Sequence, residues 1–260
     1  MQQTTIPHDL SLLFPVGPCM YIPRNITLII HYILDQWLPP IIRDSRLCMY
    51  PFFRFLFGNR ARAFMEFKDR VPSLDALETK KIYEQTASAH IQRQTDLNPA
   101  CVHTIKQRIL GSSVLDIACG RGYLSGRLSR RYRIVGADMY VGSQAVHTYP
   151  DVSFVQVDIT DLPFEHQAFD TVVCAHTLEH VPDIHSAVQE LKRVTKKRLL
   201  LVVPRQRPYR YTFDLHVHFF PYAWSLELLM KREGSTGRCE LVGGDWLYVE
   251  ESQERAIAGK

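Results

Sequence analysis

Five short apolar runs, separated by helix-like segments, constrain the fold of this chain more than any other feature. All five lie after Gly111, and their sequences are SVLDIA, YRIVGAD, VSFVQVDI, FDTVVCAH and RLLLVVP. Each run is apolar at successive positions, which is typical of a parallel strand covered by helices on both faces. Strands that alternate with helices predict an α/β fold with a doubly wound, mostly parallel sheet.

A loop of small residues follows the first run. The stretch SVLDIACGRGYLSGRL contains Ala118, Gly120, Gly122 and Gly126 at the point where the strand pattern gives way to a helix pattern. Glycine has no Cβ, so a ligand can approach such a backbone closely. Ligands of doubly wound sheets bind at the carboxyl ends of the strands, and we therefore predict a ligand site at this loop.

Three classes of ligand are candidates for the loop. The phosphate-binding motif G-x-x-x-x-G-K-[ST] is excluded, because the loop contains no lysine. The spacing G-x-G-x-x-x-G only approximates the dinucleotide motif G-x-G-x-x-G. Asp116 opposes a dinucleotide further, because a carboxylate beside the loop would repel a pyrophosphate. The same carboxylate would attract a ligand that carries an ammonium and a sulfonium group.

Two further acids end the next two apolar runs. Asp138 can accept hydrogen bonds from two ribose hydroxyls, and Asp158 can accept one from an adenine amino group. Any one of these acids could instead be a turn or helix-capping residue. Together with Asp116, they place acids at the tips of three consecutive strands beside the glycines, and this arrangement predicts S-adenosylmethionine as the ligand.

Several segments resemble the successive motifs of class I S-adenosylmethionine-dependent methyltransferases. They are VLDIACGRGYL, IVGADM, VQVDITDLPFEHQAFDTVVCAHTLEHVPD and ELKRVTKKRLLLVVP, and the resemblance covers about residues 112–204. It is closest to the small-molecule and lipid branch that includes the ubiquinone and menaquinone biosynthesis methyltransferases. The resemblance implies a Rossmann-like fold with a seven-stranded sheet, S-adenosyl-L-methionine as cofactor, and a small-molecule, lipid or glycan acceptor.

The same resemblance implies which residues bind the cofactor. It implies that the methionine moiety is bound by Asp116, Ala118, Gly120 and Gly122 on one side and by Ala175 and His176 on the other. It implies that the ribose is bound by Asp138 and Met139, and the adenine by Asp158 and Ile159. Ala118 is a mild departure from the family pattern, which more often has glycine at this position.

The residues that act on the acceptor are harder to identify. Methyl transfer is an in-line displacement from an activated donor, so a general base is needed only for a hydroxyl or a cationic amine. His180 and His218 are the predicted catalytic residues, and a structural hydrogen bond is the alternative role for each. The spacing Asp214-x-His216-x-His218 would permit a metal, but no fourth ligand is evident, and we predict none.

A second group of polar residues lies in the same segment. Arg205, Arg207 and Arg210 alternate with Tyr209 and Tyr211. An arginine fork suits a carboxylate or phosphate on the acceptor. A solvated loop braced by the tyrosines is the alternative.

The sequence lacks the motifs that several other acceptors would require. The fourth run ends CAHT, not the Asn/Asp-Pro-Pro-aromatic run of enzymes that methylate DNA amino groups, and Glu179 has no second glutamate beside it as protein arginine methylation would require. We therefore expect no nucleic-acid partner. The alternatives that remain are a non-catalytic S-adenosylmethionine-binding scaffold subunit and an NAD(P)-dependent oxidoreductase, which Asp116 opposes.

The chain is predicted to divide near residue 110, with a helical extension or lid at 1–110 and the methyltransferase core at 111–260. An apolar stripe with helical spacing runs from an N-cap at Asn25 to Pro39-Pro40, through Ile26, Ile29, Ile30, Ile33, Leu34 and Trp37. Further helices are predicted from Asp75 and from Pro99 to Gly111.

Residues 24–70 combine this apolar stripe with a Phe-rich run and the entire net charge of +4. That composition suits peripheral contact with a membrane, and packing on the core or on a second subunit is the alternative. The N-terminus MQQTTIPHDL has no signal-peptide pattern, and no two of the six cysteines form C-x-x-C. We therefore expect a cytoplasmic protein, peripheral at most to the inner face of the membrane. The oligomeric state is left open.

Overall fold

The computed structural model describes residues 32–58, 61–73, 94–211, 214–232 and 235–252. The described residues fall into two compact units. The larger unit contains those within 92–208 and 216–260, and the smaller unit contains those within 1–91 and 209–215.

A seven-stranded sheet forms the larger unit, with strand order β3-β2-β1-β4-β5-β7-β6. The strands are β1 Ser113–Ile117, β2 Arg133–Asp138, β3 Ser153–Gln156, β4 Phe169–Ala175, β5 Thr195–Pro204, β6 Arg238–Val242 and β7 Asp245–Glu251. Strands β1 to β5 are parallel, whereas β7 is antiparallel to both β5 and β6. The predicted doubly wound, mostly parallel sheet of seven strands is confirmed.

Helices of both units are numbered along the chain. They are α1 Pro40–Arg43, α2 Arg46–Phe57, α3 Ala61–Arg70, α4 Pro99–Arg108, α5 Tyr123–Leu128, α6 Ser143–Thr148, α7 Ile184–Val194 and α8 Ala223–Met230. A π-helical turn covers Ile33–Trp37, and 3-10 turns cover Val71–Ser73 and Leu178–His180. Among the described helices, none combines the length and the apolarity that a membrane crossing requires.

Helices cover both faces of the sheet. Neighbouring residues of one strand contact different helices, because successive side chains of a strand point to opposite faces. Leu115 packs in one apolar cluster with Leu191 of α7. Its neighbour Val114 packs in the other cluster with Ile105 of α4 and Leu124 of α5. Burial on both faces explains why these strands are continuously apolar in sequence.

Helix α4 belongs to the same unit as the sheet, although the sequence analysis counted it in the N-terminal extension. The Asn98 side chain accepts a hydrogen bond from Cys101 N at 2.8 Å and so caps the helix, with Pro99 at its first position. The helix ends earlier than predicted. Its C-cap is Ile109, whose backbone is already extended, and Gly111 lies beyond it in a turn with φ of 79°.

The smaller unit has an aromatic core of its own. Phe57 of α2 stacks on Phe64 of α3 at 4.3 Å between ring centroids, and the buried Phe53 meets Tyr211 edge to face at 6.4 Å. Arg210 lies 3.5 Å from Asp69 of α3, so this arginine has a carboxylate partner within its own unit.

Two predicted helices of the extension fall largely outside the described residues. Of the stripe that begins at Ile26, only the turn Ile33–Trp37 is described. The helix predicted from Asp75 lies outside the described residues altogether.

Candidate functional site

The loop after β1 is tightly turned at the carboxyl edge of the sheet. Ala118, Gly120 and Gly122 all have positive φ, at 55°, 54° and 74°. Cys119 N donates to Ala137 O at 3.2 Å, and Gly122 N donates to Cys119 O at 2.9 Å. The loop therefore folds back over the ends of β1 and β2. Ala118 adopts a conformation that glycine adopts more readily, which explains why glycine is the more usual residue there.

The glycines of the loop differ in what a side chain at each position would meet. A Cβ added at Gly120 would meet no heavy atom within 4 Å, so this position opens onto space that a ligand can fill. A Cβ at Gly122 would lie 2.7 Å from Phe154 Cζ, and one at Gly126 would lie 2.1 Å from Tyr149 Cδ1. Gly120 thus fits the predicted cofactor contact, whereas packing of aromatic rings requires Gly122 and Gly126.

Asp116 is a buried acid beneath this loop. Its Oδ2 accepts a hydrogen bond from Ser125 Oγ of α5 at 2.5 Å. Burial raises the pKa of Asp116 to about 7; the Ser125 hydrogen bond opposes this effect, and nearby Asp138 adds to it. A cation bound nearby would favour the ionised form of this carboxyl group, so the position suits the positively charged methionine end of the predicted cofactor.

Asp138 ends β2 and braces the same loop. Its Oδ2 accepts from Gly120 N at 2.8 Å, and its Oδ1 accepts from Tyr140 N at 3.0 Å. Burial raises the pKa of Asp138, against the effect of the backbone hydrogen bonds. Each carboxylate oxygen keeps a second lone pair, which fits the two ribose hydroxyls. Because the side chain also holds the loop, truncating it would disturb more than the cofactor contact.

The residues predicted at the ribose and adenine lie at the next strand ends. Met139 is exposed and therefore accessible to a ligand, whereas Ile159 is buried. Asp158 Oδ1 accepts from both the backbone N and the Oγ1 of Thr160, at 2.8 and 2.7 Å. This is the turn role that the sequence analysis gave as the alternative, and it fixes the direction of the carboxylate. The adenine contact stays a prediction.

The arrangement at the ends of β1, β2 and β3 fits S-adenosylmethionine. The open position at Gly120, the buried acid Asp116 and the braced carboxylate of Asp138 supply the close approach, the negative charge and the hydroxyl acceptors that this cofactor needs. The contacts of the individual residues with the cofactor remain predictions.

His176 follows β4 and takes part in a buried ionic network. Its Nδ1 lies 3.5 Å from Glu179 Oε1, and its Nε2 lies 3.4 Å from Asp245 Oδ2 of β7. Burial alone would lower the pKa of His176, but the two carboxylates outweigh it and raise the pKa to about 10. This side chain is therefore an imidazolium at neutral pH. The contact with the methionine that the resemblance implied stays a prediction.

Glu179, His180 and His216 form a cluster beside this network. Glu179 is 1% exposed, and its backbone O accepts hydrogen bonds from Val217 N at 2.8 Å and His218 N at 3.0 Å. The rings of His180 and His216 meet edge to face at 4.6 Å between centroids. Residues from the turn after β4 and from the segment after β5 are thus held side by side.

The two predicted catalytic histidines differ in their surroundings. His218 Nε2 lies 3.0 Å from the carbonyl oxygen of Val181 and donates a hydrogen bond to it, which leaves Nδ1 as the nitrogen that could accept a proton. His180 belongs to the cluster with Glu179 and His216. Both catalytic roles stay predictions.

Sequence reasoning assigned no role to Glu179 or Asp245. The position of Glu179 between His176 and His180, directly after a buried strand, was the one signal for it. Asp245 comes from an antiparallel strand far along the chain, and nothing near it in the sequence pointed to His176.

Comparison with known proteins agrees with this geometry. Residues 115–203 match the family model described as methyltransferase domain. The 2-phytyl-1,4-naphtoquinone methyltransferase of Trichormus variabilis is 36% identical over 98 residues, which cover 33% of this chain and 43% of that protein. The ubiquinone biosynthesis O-methyltransferase of Pseudomonas aeruginosa is 35% identical over 130 residues, which cover 45% and 56%. The chain spans about half the length of these curated relatives.

A solved structure shares the fold over a longer stretch. It is the complex between the Haloferax volcanii Trm112 methyltransferase activator and a methyltransferase, with a TM-score of 0.50 and 14% identity over 72% of this chain and 97% of that chain. At this identity the similarity shows the fold alone.

The sheet order, the glycine loop and the acids at the strand ends are the features of a class I S-adenosylmethionine-dependent methyltransferase domain. Within this class, residues 115–203 form a domain of the methyltransferase family whose model they match, and they resemble the corresponding part of the quinone biosynthesis methyltransferases.

Proposed function

We propose that this chain transfers the methyl group of S-adenosylmethionine to a small-molecule acceptor. The observation that carries the proposal is the loop at the carboxyl edge of the sheet, where Gly120 is open to a ligand and donates its N–H to the carboxylate of Asp138, and where the buried Asp116 lies near enough to Asp138 to feel its charge. The relatives named for methylation of a phytyl naphthoquinone and for ubiquinone biosynthesis support an acceptor with a hydroxylated or quinonoid ring.

The mechanism we propose is mainly one of alignment. The cofactor supplies an activated methyl group on a sulfonium. Asp138 would hold the ribose hydroxyls while Gly120 lets the backbone approach closely, and Asp116 would stabilise the positive charge by its carboxylate. Holding donor and acceptor in line turns a bimolecular reaction into an effectively unimolecular one.

A hydroxyl acceptor must also lose a proton as the methyl group arrives. His218 and His180 are our candidates for the group that takes it, because a positioned imidazole is the commonest general base. His218 has its Nε2 hydrogen held by the Val181 carbonyl, which fixes the ring and directs Nδ1 as the basic atom.

The test is formation of S-adenosylhomocysteine by the full chain with a panel of hydroxylated and reduced quinone precursors. We expect acceptor-dependent formation that falls at least about 100-fold in His218→Gln, the lower end of the contribution of a general base, and not in the exposed control His103→Gln. Cofactor binding without transfer to any of the small molecules would favour the scaffold alternative. Transfer to a glycan or lipid alone would refute the acceptor class.

We further propose that the smaller unit contacts membranes peripherally, so that the chain could take a hydrophobic acceptor from the membrane. Supporting this, Ile41 of α1 and Leu47 and Phe55 of α2 are 82%, 87% and 76% exposed. Large apolar side chains exposed together mark an interaction surface. Arg46 and Arg62 lie on the same helical unit with side chains that are 58% and 74% exposed, and the two arginines share one carboxylate partner, Glu66.

A further inference from the structure

The cluster of Glu179, His180 and His216 lies outside the cofactor loop and has the geometry of a metal site. Each residue offers one ligand atom, and these three atoms all lie within 4.8 Å of one another. Zinc and similar ions bind nitrogen and oxygen ligands at about 2.0 to 2.2 Å, so small side-chain rotations would bring all three atoms onto one ion.

The burial of Glu179 is the second observation. Its side chain is 1% exposed, and across the described part of the chain neither carboxylate oxygen receives a hydrogen bond. The ion-pair contact with His176 Nδ1, at 3.5 Å, is beyond hydrogen-bond geometry. A buried carboxylate without hydrogen bonds is strongly destabilising unless a cation compensates for it.

The charges around the cluster leave room for that cation. His176 is shared between Glu179 and Asp245, so one imidazolium faces two carboxylates. The two carboxylates thus share one imidazole between them, and a cation bound at Glu179 would give that carboxylate a second positive partner.

His216 is oriented for coordination. Its Nδ1 donates a hydrogen bond to Gln206 Oε1 at 2.6 Å, so the proton is on Nδ1 and the lone pair is on Nε2. Histidines that bind metals are held in this way, with the second ring nitrogen donating to an oxygen. The hydrogen bonds from Val217 N and His218 N to the backbone of Glu179 fix the two ligand segments against each other.

We propose that Glu179, His180 and His216 bind one divalent first-row transition-metal ion. Two imidazole nitrogens and one carboxylate oxygen suit ions such as Zn²⁺, Co²⁺ or Mn²⁺ better than the all-oxygen sites of Mg²⁺ and Ca²⁺. Three protein ligands leave at least one coordination position open. No metal was predicted from the sequence, because no fourth ligand is evident beside Asp214, His216 and His218, whereas the fold brings His216 to Glu179 and His180.

The metal site stands on this cluster alone. If the proposed function also holds, the open position would bind an oxygen of the acceptor and lower the pKa of its hydroxyl, and His218 would be the general base because His180 is then a metal ligand. Metal binding itself requires neither the cofactor nor the acceptor, so the two proposals can fail separately.

The experiment is a titration of Co²⁺ into the chelator-stripped full chain without a histidine tag, followed by visible absorption and by competition with Zn²⁺. We expect one equivalent of Co²⁺ per chain and its displacement by Zn²⁺. Glu179→Gln and His216→Gln should each weaken binding at least about 100-fold, and Gln206→Leu, which removes the orienting hydrogen bond, about 10- to 100-fold. The exposed His185→Gln should bind as the unchanged protein does.

Circular dichroism and cofactor calorimetry on the metal-free variants report whether each one folds. If Glu179→Gln does not fold, the His216→Gln and Gln206→Leu variants carry the test. Less than one equivalent in the unchanged chain would overturn the proposal. Equal binding by folded Glu179→Gln or His216→Gln, or an equal loss in His185→Gln, would also overturn it.

Discussion

At the scale of single residues, Asp116 connects the fold to the ligand. Its carboxyl group is buried under the loop that the cofactor must approach, and its pKa is raised to about 7 by that burial. A group with this pKa changes its charge within the range in which proteins are ordinarily assayed. A ligand that carries positive charge therefore meets a carboxylate above pH 7 and a neutral acid below it.

We expect the affinity for S-adenosylmethionine to fall as the pH is lowered from 8.5 to 5.5, because protonation of Asp116 removes an attraction for the cationic ligand. In Asp116→Asn the affinity should be lower at pH 8 and nearly constant over the same range. Calorimetric titration at intervals of half a pH unit measures both curves. An affinity of the unchanged chain that does not vary with pH would contradict this role.

Ala118 gives a second prediction at this scale, because its φ of 55° is strained for a residue with a Cβ. Ala118→Gly should raise the free energy of unfolding by about 0.5 to 1 kcal/mol, the strain of roughly 1 to 2 kcal/mol being partly offset by the greater freedom of glycine in the unfolded chain. Ala100→Gly in helix α4 is the matched control and should be destabilised by a similar amount. Urea unfolding of the three proteins measures this, and a destabilised Ala118→Gly would contradict it.

At the scale of elements, the strands that the sequence predicted best are those buried on both faces. Strands β1, β2, β4 and β5 lie within one or two residues of their apolar runs at the carboxyl end, since continuous burial leaves a continuous apolar pattern. Strands β6 and β7 form an antiparallel pair with polar residues interspersed, and no apolar run in the sequence predicted them. The end of α4 was also misplaced, because Gly111 suits a C-terminal cap but the helix already ends at Arg108, with Ile109 as its C-cap.

The positions of the candidate cofactor acids could be predicted for a related reason, since acids at strand ends lie at fixed places relative to apolar runs. The cluster around Glu179 could not be predicted from the sequence. It joins the turn after β4 to a segment after β5 and to β7, and contacts between distant elements leave no local pattern.

His176 joins the end of β4 to β7 and makes a prediction at the scale of elements. Its pKa is about 10 in the folded chain and about 6.5 in an unfolded one, so folding favours the protonated ring. The stability that it contributes is complete below about pH 6.5 and is lost as the pH rises through about 10. We expect His176→Gln to be destabilised most at pH 6.5 and progressively less toward pH 10.

Urea unfolding of both proteins at several pH values measures this difference. The exposed His147→Gln is the control, and it should follow the unchanged chain throughout. A difference between His176→Gln and the unchanged chain that grows with pH would contradict the ion network.

At the scale of the whole molecule, the chain combines a methyltransferase core with a smaller unit that exposes apolar side chains. The net charge of +4 is carried entirely by residues 24–70, which contain the helices with those side chains. Burial of apolar groups and attraction to anionic headgroups, about 1 kcal/mol for each Arg or Lys near the surface, together permit reversible membrane binding.

We therefore expect the full chain to sediment with anionic phosphatidylglycerol vesicles at low salt and less so with neutral phosphatidylcholine vesicles. Replacing Ile41, Leu47 and Phe55 together by serine should abolish sedimentation while cofactor binding is kept. Leu228→Ser, which removes an exposed apolar side chain from α8 of the larger unit, should sediment as the unchanged chain does. An unchanged chain that does not bind anionic vesicles at low salt would refute the membrane proposal.

The central claim is that the loop after β1 and the acid at the end of β2 bind S-adenosylmethionine, and calorimetric titration of the full chain tests it most directly. We predict binding of S-adenosylmethionine and S-adenosylhomocysteine, and no binding of NAD(H) or NADP(H). Asp138→Asn should weaken cofactor binding by about 1.5 to 3 kcal/mol, roughly 10- to 150-fold, because it loses the charge and one of the two acceptor oxygens at the ribose but keeps one oxygen that can accept from Gly120 N. The exposed Asp151→Asn should bind normally. Binding of a dinucleotide with no response to S-adenosylmethionine, or an unchanged affinity in Asp138→Asn, would contradict the account.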